Sequence, residues 1–69
     1  MNVSARNVFA GTVKSVARGP VSAEVTVTIA PGVDVVAVIS TVSSDRLGLV
    51  AGKPAHALIK ASSVMVGVD

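Results

Sequence analysis

A chain of 69 residues with no cysteine, one histidine and four acidic residues has room for one small core, no disulfide framework, and little from which to build a metal cage. Its net charge of +2 is carried by basic residues scattered singly at Arg6, Lys14, Arg18, Arg46, Lys53 and Lys60, without the clustered Lys and Arg of a phosphate-backbone binder. Apolar residues make up 51% of the chain and the mean hydropathy is +0.74, high for so little interior, so association with other subunits is the remaining way to stabilise it.

Charges at Lys14, Arg18, Glu24, Asp34 and Asp45 interrupt every apolar run well short of the roughly 20 residues a spanning helix needs. Met1-Asn2-Val3-Ser4-Ala5-Arg6 lacks the apolar segment of a signal peptide. A soluble, cytoplasmic protein with no membrane partner is expected.

Residues 8–16 are rich in Val and Thr and form a first strand, with Gly11 marking a bulge or a sharp coil. Arg18-Gly19-Pro20 is a turn. From 21 to 29 the chain alternates strictly: Val21, Ala23, Val25, Val27 and Ile29 share one face, and Ser22, Glu24, Thr26 and Thr28 the other. Ala30-Pro31-Gly32 reverses the chain into an antiparallel hairpin. In the third strand Val35, Val36, Ala37, Val38 and Ile39 are apolar on both faces, which predicts cover on both sides, one of them by a neighbouring subunit.

Ser40 and Thr41 are candidate N-caps and Gly48 a stop for one or two helical turns. A turn at residues 49–54 leads to a fourth strand at 55–60, and residues 64–68 read as a short fifth. The order β-β-β-α-β-β makes residues 1–69 a single all-β domain, a small five-stranded OB-like Greek-key barrel with one short helix.

Two polar clusters flank these strands: Ser4-Ala5-Arg6-Asn7 before the first, and Lys60-Ala61-Ser62-Ser63 between the last two. Each combines a cation with hydroxyl donors and has no carboxylate, which suits a small, multiply charged oxyanion taken out of water. Four oxygens accepting from different directions are served better by mixed donors than by one residue, and a turn can add backbone amides. Residue types alone nevertheless favour a plainer reading, a solvated lead-in and a serine-rich surface turn.

Further runs carry a resemblance. Ser4-Ala5-Arg6-Asn7 followed by Gly11-Thr12-Val13, then Gly19-Pro20-Val21-Ser22-Ala23-Glu24-Val25, Ala37-Val38-Ile39-Ser40, Leu47-Gly48-Leu49 and Ala57-Leu58-Ile59-Lys60-Ala61-Ser62-Ser63-Val64-Met65 together resemble the molbindin family, small molybdate-binding proteins built from one TOBE domain. The match runs in order along essentially the whole chain. The resemblance implies an OB-like barrel assembled as a homohexamer, a trimer of dimers, that binds molybdate or tungstate in pockets shared between subunits and carries no covalent cofactor. It implies oxyanion contacts from Ser4, Ala5, Arg6 and Asn7 and from Lys60, Ala61, Ser62 and Ser63, the two clusters of one pocket coming from different subunits. Ser40 would add a hydroxyl, and Gly19, Val21, Ser22 and Ala23 would line a second type of site through backbone groups. Pro20 removes one possible N–H donor from that segment.

Other residues offer less. His56 has no companion His or Cys and reads as a structural or surface histidine, so no metal ligand is assigned. Glu24 and Asp34 are separated by a hairpin, but a catalytic carboxylate pair needs a cleft this chain can hardly build, and no Gly-x-Ser-x-Gly elbow is present. No catalysis is expected. A single-stranded nucleic-acid site would stack bases on aromatic platforms, and Phe9 is the only aromatic residue. A molybdate-sensing regulatory module is the nearer alternative. Sensors carry ATPase or DNA-binding domains that these 69 residues do not contain, so storage and homeostasis of molybdate are the expectation.

Overall fold

In the computed structural model, which describes residues 1–69, three strands come first: β1 (Asn7–Arg18), β2 (Ser22–Ala30) and β3 (Val33–Ser40). Helix α1 (Thr41–Leu47), strand β4 (Pro54–Ile59) and one 3-10 turn (Ala61–Ser63) follow. The strands form one antiparallel sheet in the order β3-β2-β1-β4.

β1 organises this sheet because it changes partner midway. Asn7 to Thr12 pair with β4, Thr12 to Arg18 pair with β2, and only Thr12 belongs to both ladders. The expected distortion is real, but it occupies two positions. The register slips between Val13 and Ser15, leaving Lys14 as the extra residue of a bulge. Gly11 instead permits a close approach, since a Cβ there would collide with the Thr28 carbonyl oxygen.

The alternation of β2 supplies the core. Val25 and Val27 are buried together with Val13 of β1, and Val16, Ile29, Ile39, Leu49 and Ala55 pack around them. Val21 departs from the expected face: it precedes β2 in the turn and is 79% exposed, so the buried stripe begins at Ala23. Three buried valines, each worth about 1.5–3 kcal/mol, make a small core for a chain of this length.

The hairpin at Ala30-Pro31-Gly32 forms as expected, with Gly32 at a φ of +72° that L side chains rarely adopt. On β3, Val35, Ala37 and Ile39 turn toward the core. Val36 and Val38 stand on the other face, 58% and 70% exposed, so within one chain the strand is covered on one side only.

Helix α1 begins and ends where its sequence says it should. The Ser40 hydroxyl accepts from the Ser43 N–H at 3.0 Å, and Gly48 closes the helix in the left-handed region. Lys53 Nζ donates to the carbonyls of Leu47 and Gly48 at the helix C-terminus. Thr41 ties the helix to the β1–β2 turn: its hydroxyl donates to the Gly19 carbonyl at 2.6 Å and its N–H to the Val21 carbonyl at 2.9 Å. Arg18 adds a two-point ion pair with Asp45, at 2.9 and 2.6 Å.

The fifth strand is not there. Residues 64–68 have no regular structure, and Met65, Val66 and Val68 are more than nine-tenths exposed. Their sequence has strand character, but a strand exists only through ladder bonds to an edge, and this segment pairs with none in its own chain. The sheet is therefore four-stranded and does not close. Its edge strands β3 and β4 flank an apolar cleft of about 750 Å³ floored by Val25 and Val27.

Gly11→Ala should lower stability by about 1–3 kcal/mol in urea unfolding, because backbone must move to admit the methyl group. Gly67→Ala, with no atom near the added carbon, should leave it unchanged; equal effects would contradict the corner role of Gly11.

Candidate anion-binding site

The pairing of Asn7 with Ile59 at the end of the β1–β4 ladder sets the lead-in to β1 beside the turn after β4. An open pocket of about 530 Å³ lies between them, lined by Ser4, Ala5, Arg6, Lys60, Ala61 and Ser62. Both clusters singled out in the sequence thus meet within one chain.

Charge at the site is left uncompensated by the protein. The chain has two ion pairs, Lys14–Asp34 at 2.8 Å and Arg18–Asp45 at 2.6 Å, and neither Arg6 nor Lys60 takes part in one or donates a side-chain hydrogen bond. The Arg18 guanidinium holds the Asp45 carboxyl below its ordinary pKa through their hydrogen bonds, and Lys14, helped by Thr28, does the same for Asp34. Both carboxylates are therefore committed elsewhere. Glu24 lies on β2 opposite Val38, and Asp69 does not line the pocket.

Backbone donors add to the two cations. In the 3-10 turn the Ser63 N–H donates to the Lys60 carbonyl at 2.8 Å and the Val64 N–H to the Ala61 carbonyl at 3.4 Å. The turn's bonding begins at Ser63, which leaves the N–H groups of Ala61 and Ser62 without a partner inside the turn. A guanidinium fork, an ammonium, two hydroxyls and two amides can then converge on a tetrahedral anion.

Not every sequence-assigned residue is in this pocket. Asn7 lies behind it, with its side-chain amide donating to the Ile59 carbonyl at 3.1 Å. Ser63 belongs to the turn but does not line the pocket. Gly19, Val21, Ser22, Ala23 and Ser40 gather at the opposite end of β1, where Ser22 pairs with Ser40. There the Gly19 N–H is bonded to the Ser22 carbonyl, Ala23 is buried, and the Ser40 hydroxyl both caps α1 and donates to Ser43. Thr41 was visible in the sequence only as a candidate cap; that its hydroxyl reaches Gly19 depends on a contact across 22 residues, for which no local pattern exists.

The remaining residues form no second constellation. Glu24 faces Val38 and Asp34 faces Thr28, so the two carboxylates sit four residues apart along the β2–β3 ladder and Asp34 is held by Lys14. No three His, Asp or Glu side chains gather in a way that could hold a metal ion. Phe9 pairs with Ala57 on the β1–β4 ladder and lies outside the Arg6–Lys60 pocket. No helix is long and apolar enough to cross a membrane.

Residues 3–66 match the model of the TOBE domain. The chain belongs to the TOBE domain family. This TOBE domain is 44% identical to the probable molybdenum-pterin-binding protein of Haemophilus influenzae, and the match covers both chains end to end. It is 46% identical over its whole length to the molybdenum transport protein ModE of Herbaspirillum seropedicae, of which it spans 26%. Among solved structures it resembles a molybdate binding protein from Sporomusa ovata with a TM-score of 0.89 and 35% identity, covering 99% of this chain and 100% of that one. Full-length likeness to small proteins of this kind puts the domain among the molbindins, as the sequence resemblance implies.

Ser40→Ala in this TOBE domain should cost about 1 kcal/mol of stability in urea unfolding through loss of the helix cap, with anion uptake at the Arg6–Lys60 pocket unchanged. Weakened uptake at unchanged stability would make the hydroxyl a ligand instead of a cap.

Proposed function

We propose that this TOBE domain binds molybdate, with tungstate as a second ligand of the same shape and charge, and serves as a cytoplasmic store and buffer for the oxyanion. One observation carries the reading: Ser4, Arg6, Lys60 and Ser62 line one pocket that has no carboxylate in it and whose two cations have no partner in the protein. Two positive charges offset the dianion. The Arg6 fork takes two oxygens side by side, Lys60 acts as a compact point charge, and the Ser4 and Ser62 hydroxyls with the Ala61 and Ser62 amides receive the remaining lone pairs. This donor set suits reversible binding of an intact anion, a role with no covalent cofactor and no chemical step. The names of the relatives, a molybdenum-pterin-binding protein and a molybdate binding protein, support the choice of anion.

The binding unit is a homo-oligomer, a hexamer built as a trimer of dimers. Support comes from the small core, the exposed Val36 and Val38, the unclosed cleft between β3 and β4, and an apolar segment at 64–68 with no strand partner in its own chain. In such an assembly neighbouring chains complete the walls of the open Arg6–Lys60 pocket. Gly19, Val21, Ser22 and Ala23 line a second type of site through backbone groups contributed by several copies.

A second reading, a molybdate-sensing module, is favoured by the likeness to ModE, in which the matched stretch is about a quarter of the protein. Both readings ask the same task of this domain. Single-stranded nucleic acid binding has no comparable support, with one aromatic residue in the chain.

Native mass spectrometry with and without molybdate tests the proposal. A hexamer that takes up anions is expected, with fewer anions per assembly for Arg6→Ala and for Lys60→Ala, and a melting temperature raised by saturating molybdate, since ligand at 100 times its Kd adds about 2.7 kcal/mol. Wild-type stoichiometry in both variants, or an unmoved melting curve, would refute it.

A further inference from the structure

We infer that Asn7 is a positioning residue of the anion pocket and not one of its ligands: it hooks the Lys60 turn to the Arg6 lead-in through the Ile59 carbonyl. The inference rests on the pocket reading above and goes further by assigning a role to a side chain that does not line the pocket.

Asn7 and Ile59 form the terminal residue pair of the β1–β4 ladder, and Ile59 is the last residue of β4. At that point the regular ladder stops holding the two segments together, yet both halves of the pocket begin there: Arg6 directly precedes Asn7, and Lys60 directly follows Ile59. The Asn7 side chain spans this junction, with Nδ2 donating to the Ile59 oxygen at 3.1 Å from a partly buried position. Its orientation is fixed chemically, because a carbonyl oxygen can only accept and the amide nitrogen is the only donor on the side chain.

The bond reaches the site through one rigid plane. The Ile59 carbonyl and the Lys60 nitrogen belong to the same planar peptide unit, so directing the oxygen toward Asn7 directs the Lys60 N–H the opposite way and sets where the Lys60 Cα leaves the strand. Lys60 then starts the turn that supplies Ala61 and Ser62. Removing the amide leaves Arg6 and Lys60 chemically intact but frees one half of the site to shift relative to the other. At metal sites, removing the partner that orients a ligating side chain typically costs about 10- to 100-fold in affinity, and a loss at the lower end of that range is expected for this turn.

The test uses Asn7→Ala and Asn7→Ser in the full chain, with molybdate affinity by calorimetry and backbone amide shifts of the anion-free protein by NMR. The expected result is about a tenfold weaker affinity in either variant that folds, with shift changes concentrated at Lys60, Ala61 and Ser62 before any anion is added. In a Lys60→Ala background the Asn7 substitution should weaken binding much less than tenfold. Wild-type affinity in an Asn7 variant would overturn the inference, as would a loss that persists in full without Lys60, which marks an independent ligand. If the wild-type protein takes up no molybdate, the anion reading itself falls and this inference with it. Binding by wild type together with undiminished binding by the variants removes only the role of Asn7.

Discussion

The antiparallel pairing of Asn7–Thr12 with Pro54–Ile59 is the constraint on which the rest depends. It joins the two ends of the chain and ends at the Asn7–Ile59 pair, so the segments that continue past it, Arg6 on one side and Lys60 on the other, emerge together. β1 can make this pairing and still reach β2 only because it turns a corner, with Gly11 pressed against the Thr28 carbonyl and Lys14 bulged out of register. Electrostatics then give the junction its chemistry. Asp34 and Asp45 are held by Lys14 and Arg18 far from it, so the protein supplies no counter-charge to Arg6 or Lys60.

What was legible in the sequence is what is local. The alternation through Val25 and Val27, the reversal at Gly32, and the helix from its Ser40 cap to Gly48 each depend on contacts within a few residues, and each is present. Where a feature needed a distant partner, residue patterns fell short. Residues 64–68 have the composition of a strand, but a strand needs an edge to pair with, and that information is not in the segment. Val21 continues the period-two pattern yet lies in the Gly19–Ser22 turn, where the Gly19 N–H bonds the Ser22 carbonyl and the ladder has not begun.

The site divides in the same way. Its residue types were readable, since a cation with hydroxyls and no acid is a recognisable donor set. Its assembly was not, because the Asn7–Ile59 bond spans 52 residues and no spacing rule reaches that far. The family resemblance gives Ser40 a hydroxyl in the pocket, whereas in a single chain Ser40 lies with the Gly19–Ala23 segment at the far end of β1. Small size links this division to assembly: a core of three valines leaves apolar surface to be covered, and sites completed by neighbouring chains would make anion binding and association reinforce each other.

A double-mutant cycle on Arg6 and Lys60, read as molybdate affinity, tests most directly whether the two clusters form one site. If both cations act on the same dianion, the losses from Arg6→Ala, Lys60→Ala and the double variant should be non-additive by more than about 0.5 kcal/mol. Losses that simply add would place the two cations at separate, independent anions and contradict the single pocket.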